Sequence, residues 1–177
     1  MGEVVVVGAV GLRLGGVSEI ESRLAELGLR LPEPMQLPPG VTLPFPWVRV
    51  HGGRVFVSGH GPLLADGSLA GPFGKVGDQV TPEQAYQAAR LTALAVLASL
   101  RRELGDLDRI TAWLRVFGMV NTAPGFTGTP MVINGFSDLI LELWGESAGS
   151  HARSAVGQAE LPFSIPVEIE AEVAIDG

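Results

Sequence analysis

The stretch His151-Ala152-Arg153-Ser154-Ala155-Val156, continued by Ala159-Glu160-Leu161-Pro162 and then by Val167-Glu168-Ile169-Glu170-Ala171, decides how this chain is read. From 166 to 175, Val167, Ile169, Ala171, Val173 and Ile175 alternate with Glu168, Glu170 and Glu172. A period of two belongs to a strand with one face in the core. The segment before it is also strand-like, and there Arg153 has Ala155, Gly157 and Ala159 as same-face neighbours. Its guanidinium is therefore expected to project over a shallow surface with room beside it. Five donors in a fixed fork match a carboxylate in two parallel hydrogen bonds, so a small carboxylate is the first ligand implied. For the acids the plainer reading is a solvated strand face, which needs no function. Like-charged neighbours would raise the pKa of Glu168 and Arg153 would lower it.

Working backward from these two strands, the chain divides into recognisable elements. Met131 to Trp144 reads as a helix with Val132, Phe136, Leu139, Ile140 and Leu143 on one face, and Ile110 to Val120 reads as a strand. Thr81-Pro82, with Gln84 completing a capping box, opens a largely apolar helix that Gly105 stops after Leu104. Trp47 to Val50 and Arg54 to Val57 flank His51-Gly52-Gly53 as a hairpin. Prolines between Met35 and Pro46 forbid regular pairing, and Ser18-x-x-Glu21 starts a short helix that ends at Gly28. Two main helices then cover one sheet in a β-β-α-β-α-β-β order. Residues 1–17 form an N-terminal extension, expected as an edge strand or a loose tail, and 18–177 a single α+β domain.

Composition limits the function. A chain of 177 residues, 46% hydrophobic and 18% charged, suits one domain. Zero cysteines exclude disulfides, thiol nucleophiles and thiolate metal sites, and the balance favours a cytoplasmic location. A net charge of −7 repels polyphosphate, so a nucleic-acid partner is not expected. No stretch reaches the length of a membrane span. His51, His60 and His151 lack ligand spacing, so no metal is expected. Gly71-Pro72-Phe73-Gly74-Lys75-Val76 imitates a phosphate cradle, but no Ser or Thr follows the lysine.

The motifs Ala-Arg-Ser-x-Val, Ala-x-Leu-Pro and Val-Glu-Ile-Glu-Ala, with Val55-Phe56-Val57-Ser58-Gly59-His60-Gly61-Pro62 upstream, resemble the RidA/YjgF family, also labelled endoribonuclease L-PSP and translation-initiation inhibitor. The resemblance runs from about 41 to 177 and is that of a divergent branch. It implies a chorismate-mutase-like fold in which three subunits pack their sheets into a central barrel, a homotrimer with ligand clefts between neighbours. It also implies site residues: Arg153 to clamp a substrate carboxylate, Glu168 as the cleft acid, and main-chain groups at Ala155 to help hold a water. Phe45 stands where the family has a tyrosine that closes over the ligand, His60 where glutamine is common, and Asn134 where an asparagine lies near the cleft. A histidine there can titrate near neutrality, and Asn134 can equally serve the helix N-terminus.

On that resemblance the expected activity is cofactor-free hydrolysis of 2-imino or 2-enamino acids to 2-oxo acids and ammonia. Arg153 and Glu168, on consecutive strands, are expected to converge on one pocket. The alternative is a trimer that binds or senses a small carboxylate without turning it over, and a ribonuclease is a third reading that the acidic charge opposes.

Overall fold

The structure is a computed structural model that describes residues 18–37 and 39–176. The N-terminal extension expected over 1–17 lies outside the described residues. Strands β1 (Val48–His51) and β2 (Arg54–His60) form the hairpin, turned by Gly52 and Gly53 at φ 58° and 76°. Both central positions of such a two-residue turn need positive φ, which glycine adopts without a Cβ clash. Strands β3 (Ile110–Asn121), β4 (Ala152–Gln158) and β5 (Val167–Ile175) complete a five-stranded sheet of order β1-β2-β5-β3-β4. Among the described strands only β3 and β4 run parallel, because helix α3 (Thr129–Gly149) carries the chain back between them. The architecture is the expected α+β class with a mixed sheet. One consequence was not legible in the chain order: β4 and β5 are consecutive in sequence, yet β3 separates them.

Helix α2 (Pro82–Leu104) begins at a complete capping box. The N–H of Thr81 donates to the Gln84 side chain and the N–H of Gln84 to Thr81 Oγ1. Gly105 ends the helix in the left-handed region at φ 80°. Small residues along α2 let α3 approach closely, so that a Cβ on Gly135 would lie 2.0 Å from the Tyr86 carbonyl oxygen. Helix α3 is longer than its periodicity indicated and breaks at Gly145, where φ is 67° and ψ 178°. Between the helices and the sheet, Trp113 packs edge-on to Phe136 and Trp144, with ring centroids 5.7 and 5.5 Å apart.

The short helix α1 (Glu19–Glu26) is capped differently from its sequence pattern. Ser18 Oγ accepts the N–H of Glu21 as expected, but the Glu21 carboxylate pairs with Arg101 instead of returning to the cap. Asp108 fills the role, accepting from the Ser18 hydroxyl and from the N–H groups of Glu19 and Ile20. Eight residues do not hold a helix alone in water. This one is pinned by that distant carboxylate and by burial of Ile20 and Leu24.

Both main helices lie on one face of the sheet, over Val55, Val116, Val120, Ile169 and Val173. The opposite face carries Phe56, Arg115, Phe117, Glu170 and Glu172, which the register puts side by side. Phe56 is 44% exposed there, so among the described residues nothing covers this face. Lys75, in the glycine-rich loop, donates to Asn121 Oδ1 and the Ala159 carbonyl and pairs with Glu160, which makes it a tie between loops.

Candidate functional site

Arg153 sits on the edge strand β4, paired in register with the buried Val116, so its side chain leaves the sheet toward the helices. There α3 receives it. Nη1 donates to Asn134 Oδ1 at 2.9 Å and to Ser137 Oγ at 3.0 Å, and Nη2 donates to the Pro130 carbonyl at 3.3 Å. These acceptors are all neutral. Among the described residues no carboxylate pairs with Arg153, and Nε with one Nη2 hydrogen has no protein partner. A cation held by uncharged oxygens, with donors left over, remains available to an anion. The hollow beside it is lined by Ser137, Asp138, Leu141 and His151.

Ser137 is itself oriented by His151, whose Nε2 lies 2.9 Å from Ser137 Oγ and whose Nδ1 lies 2.7 Å from the Gly149 carbonyl oxygen. A carbonyl only accepts, so Nδ1 carries the hydrogen. Burial lowers the pKa of His151 despite that carbonyl, and the nearby Arg153 charge lowers it further. The ring is therefore neutral near pH 7, Ser137 donates to Nε2, and the serine oxygen is left to accept from Arg153. Sequence reading missed Ser137 and saw His151 only as a histidine without ligand spacing. The available signal was spacing: Asn134 and Ser137 are three residues apart and share a helix face. Ala155, also on β4, offers a carbonyl that already accepts from Thr129 Oγ1 at 3.0 Å.

Glu168 belongs to a different place. It lies on β5, paired in register with Met119 of β3, and its carboxylate folds over Gly59, where the register of β2 against β5 shifts between Val57 and His60. A Cβ at Gly59 would lie 2.0 Å from Glu168 Oε1, so the absence of a side chain creates the space the acid fills. Beside it opens a cavity of about 300 Å³ walled by Met35, Leu43, Phe45, Trp47, Phe163 and Ile165, with Glu168 the only charged group on the wall among the described residues. Burial is the main cause that raises the Glu168 pKa, and the Glu170 charge adds to it. The expected counter-effect of Arg153 has no part in this shift.

Phe45 is 47% exposed at this cavity and meets Trp47 edge-on, at 6.0 Å between ring centroids. His60 stands behind Trp47 instead of on the cavity wall, with 4.9 Å between the rings. Its Nδ1 is 2.6 Å from the Ser58 carbonyl oxygen and its Nε2 2.8 Å from Ser99 Oγ. Burial pushes its pKa down to about 4, which corrects the expectation of titration near neutrality: an imidazole this enclosed resists charging.

One chain thus gathers the predicted residues into two groups. Arg153, Asn134 and Ala155 lie by α3, Glu168 and Phe45 lie by the β2 bulge, and strand β3 stands between. The convergence of Arg153 and Glu168 in one pocket does not occur within a single copy, because adjacency in sequence is not adjacency in this sheet.

Residues 21–167 match the family described as "YjgF/chorismate_mutase-like, putative endoribonuclease". Protein TCP17 of Trypanosoma cruzi is 44% identical over 125 residues, which span 71% of this chain and 77% of that protein. The crystal structure of Atu1372 of Agrobacterium tumefaciens, described there as having unknown function, superposes with a TM-score of 0.79 at 40% identity. That match covers 89% of this chain and 93% of the other. The YjgF gene product of Escherichia coli shares the fold at a TM-score of 0.52 and 20% identity, over 77% of this chain and 91% of its own.

Proposed function

The chain belongs to the YjgF/chorismate-mutase-like family, and on that premise we propose that it hydrolyses 2-imino or 2-enamino acids to 2-oxo acids and ammonia in clefts shared by neighbouring copies. The observation that carries this reading is the separation of two complementary half-sites. An Arg153 guanidinium with unused donors and, among the described residues, no carboxylate partner lies on one side of the sheet. A half-buried Glu168 of raised pKa lies on the other, at the mouth of an apolar cavity. Each half lacks what the other supplies. Symmetric assembly places the same two surfaces of neighbouring copies against each other, and a homotrimer closes such contacts into three equivalent clefts. The sheet face away from the helices, where Phe56 and Phe117 lie among Arg115, Glu170 and Glu172, gives the copies a surface of aromatic and charged groups on which to meet.

In that cleft Arg153 of one copy binds the substrate carboxylate through its Nε–Nη2 edge, with Asn134 and Ser137 fixing the plane of the fork. Glu168 of the next copy holds a water. Its raised pKa keeps it able to accept a proton from that water as oxygen bonds to the imine carbon, and to return one to nitrogen as the carbon–nitrogen bond breaks. The balance is R–C(=NH2+)–COO− + H2O → R–CO–COO− + NH4+. An iminium carbon is already electrophilic, so the groups present are sufficient. Phe45 replaces a hydroxyl-bearing ring with an apolar wall, which favours positioning by packing.

The test is the decay of freshly generated 2-imino acids, from 2-iminobutyrate upward in size. Catalytic amounts of protein should accelerate it and release ammonia; unchanged decay of every imine at stoichiometric protein removes the enzyme and leaves a small-carboxylate binder. RNA is disfavoured as substrate by the net charge of −7.

A further inference from the structure

The cavity beside Glu168 says which imino acids the cleft takes. Its volume of about 300 Å³ reaches the ~300 Å³ at which pockets begin to bury drug-sized molecules, well above what a four-carbon acid fills. Among the described residues its wall is apolar apart from the Glu168 carboxylate. A polar side chain entering it would lose its water and find no partner. Much of the wall comes from the proline-rich connector, which brings Met35, Val41 and Leu43 to the sheet edge, and Trp47 is backed by His60.

A second observation is independent of the volume. Phe163 and Ser164 are consecutive non-glycine residues in the left-handed region, at φ 55° and 57°. Such conformations are sparsely populated and gather at ligand-binding sites, where the surroundings impose them. Here they leave Phe163 60% exposed on the cavity wall, which also holds Val41 at 46%. Apolar side chains held out at the rim of an apolar hollow form a mouth that waits for an apolar group.

We infer that this cavity receives the side chain of the substrate, so that the protein prefers 2-imino acids bearing branched aliphatic or aromatic side chains over those with short or polar ones. The inference rests on the hydrolase reading above. It follows from the direction of the chain of contacts: the substrate carboxylate lies toward Arg153, the reacting carbon lies at Glu168, and the remaining substituent is left pointing into the cavity.

The experiment compares kcat/KM of the full chain on imines made in situ by an L-amino-acid oxidase from 2-aminobutyrate, leucine, phenylalanine and glutamine. Since one methylene in an apolar pocket changes kcat/KM by ~10-fold or more, the leucine and phenylalanine imines are expected at least about ten-fold above the 2-aminobutyrate and glutamine imines. Leu43→Gln, a half-buried wall position, should narrow that ratio to less than about three-fold. Equal rates, or preference for the short imine, overturn the side-chain pocket while leaving the hydrolase standing. No acceleration of any imine overturns the hydrolase. Calorimetry then reads the pocket without turnover: 4-methyl-2-oxovalerate binding more tightly than 2-oxobutyrate supports the pocket, and the reverse order overturns it.

Discussion

Arg153 and Glu168 point away from opposite faces of the same sheet: Arg153 is in register with the buried Val116 of β3, Glu168 with Met119 three positions along the same strand. Alternation along β3 sends those two positions to opposite sides. Any chemistry that uses both residues therefore needs more than one copy of the chain, and the consequences are measurable.

Gly59→Ala tests whether the position of the Glu168 carboxylate matters. The added Cβ would meet Glu168 Oε1 at 2.0 Å, and the carboxylate, as the free end of a side chain, would move aside. Stability should change by less than about 1 kcal/mol, while kcat falls on the order of 10²-fold because a shift of about 1 Å disturbs alignment. Thermal melts and steady-state kinetics on one preparation separate the two effects.

Arg153→Lys should keep the charge and lose the function. A lysine is a point charge that cannot hold Asn134, Ser137 and a carboxylate in one plane, so kcat/KM should drop by roughly 10- to 100-fold, mainly through KM. Ser137→Ala should shift KM in the same direction by less, because it removes one of two supports on Nη1. Equal KM for all three proteins would separate Arg153 from the substrate.

Glu168 gives a stability effect with a definite sign. Its folded pKa is raised above the unfolded value, so between the two the folded state holds more protons than the unfolded chain and stability falls as pH rises. The cost is absent below the unfolded pKa and complete above the folded one. Glu168→Gln removes it: the variant should melt higher than its parent at pH 7, with the gap closing toward pH 4.

His60 acts at the other end of the scale. With its pKa lowered from 6.5 to about 4, the folded state refuses a proton that the unfolded chain accepts. Stability is complete above pH 6.5 and is lost as pH falls toward 4, by on the order of 3 kcal/mol. His60→Gln should flatten this slope, seen as an acid-side melting drop smaller by about 6–12 °C.

The elements were legible because their signals are local. The Thr81–Gln84 box, the two glycines of the hairpin and the alternation from Val167 to Ile175 each constrain their own backbone, and each element formed where its pattern lies. What failed to appear in the sequence depends on neighbours far apart in the chain. Asp108 takes over the cap of α1 from 90 residues away. His60 was read as a titrating group because its type says so, whereas burial among neighbours brought by other elements, Trp47 and Ser99 among them, and the Arg102 charge keep it neutral. Arg153 and Glu168 looked adjacent because their strands are consecutive, whereas β3 lies between those strands and pairs the two residues with positions on its opposite faces. The Ser137–His151 support was hidden because serine and histidine at those positions carry no motif.

The most direct measurement mixes two inactive proteins. Arg153→Ala and Glu168→Gln subunits, denatured together in equal amounts and refolded, should recover about one quarter of wild-type activity, since random assembly gives one cleft in four an intact Arg153 from one copy and an intact Glu168 from its neighbour. Activity that stays at the level of the separate variants, in assemblies shown to contain both subunits, would contradict a cleft built from two chains.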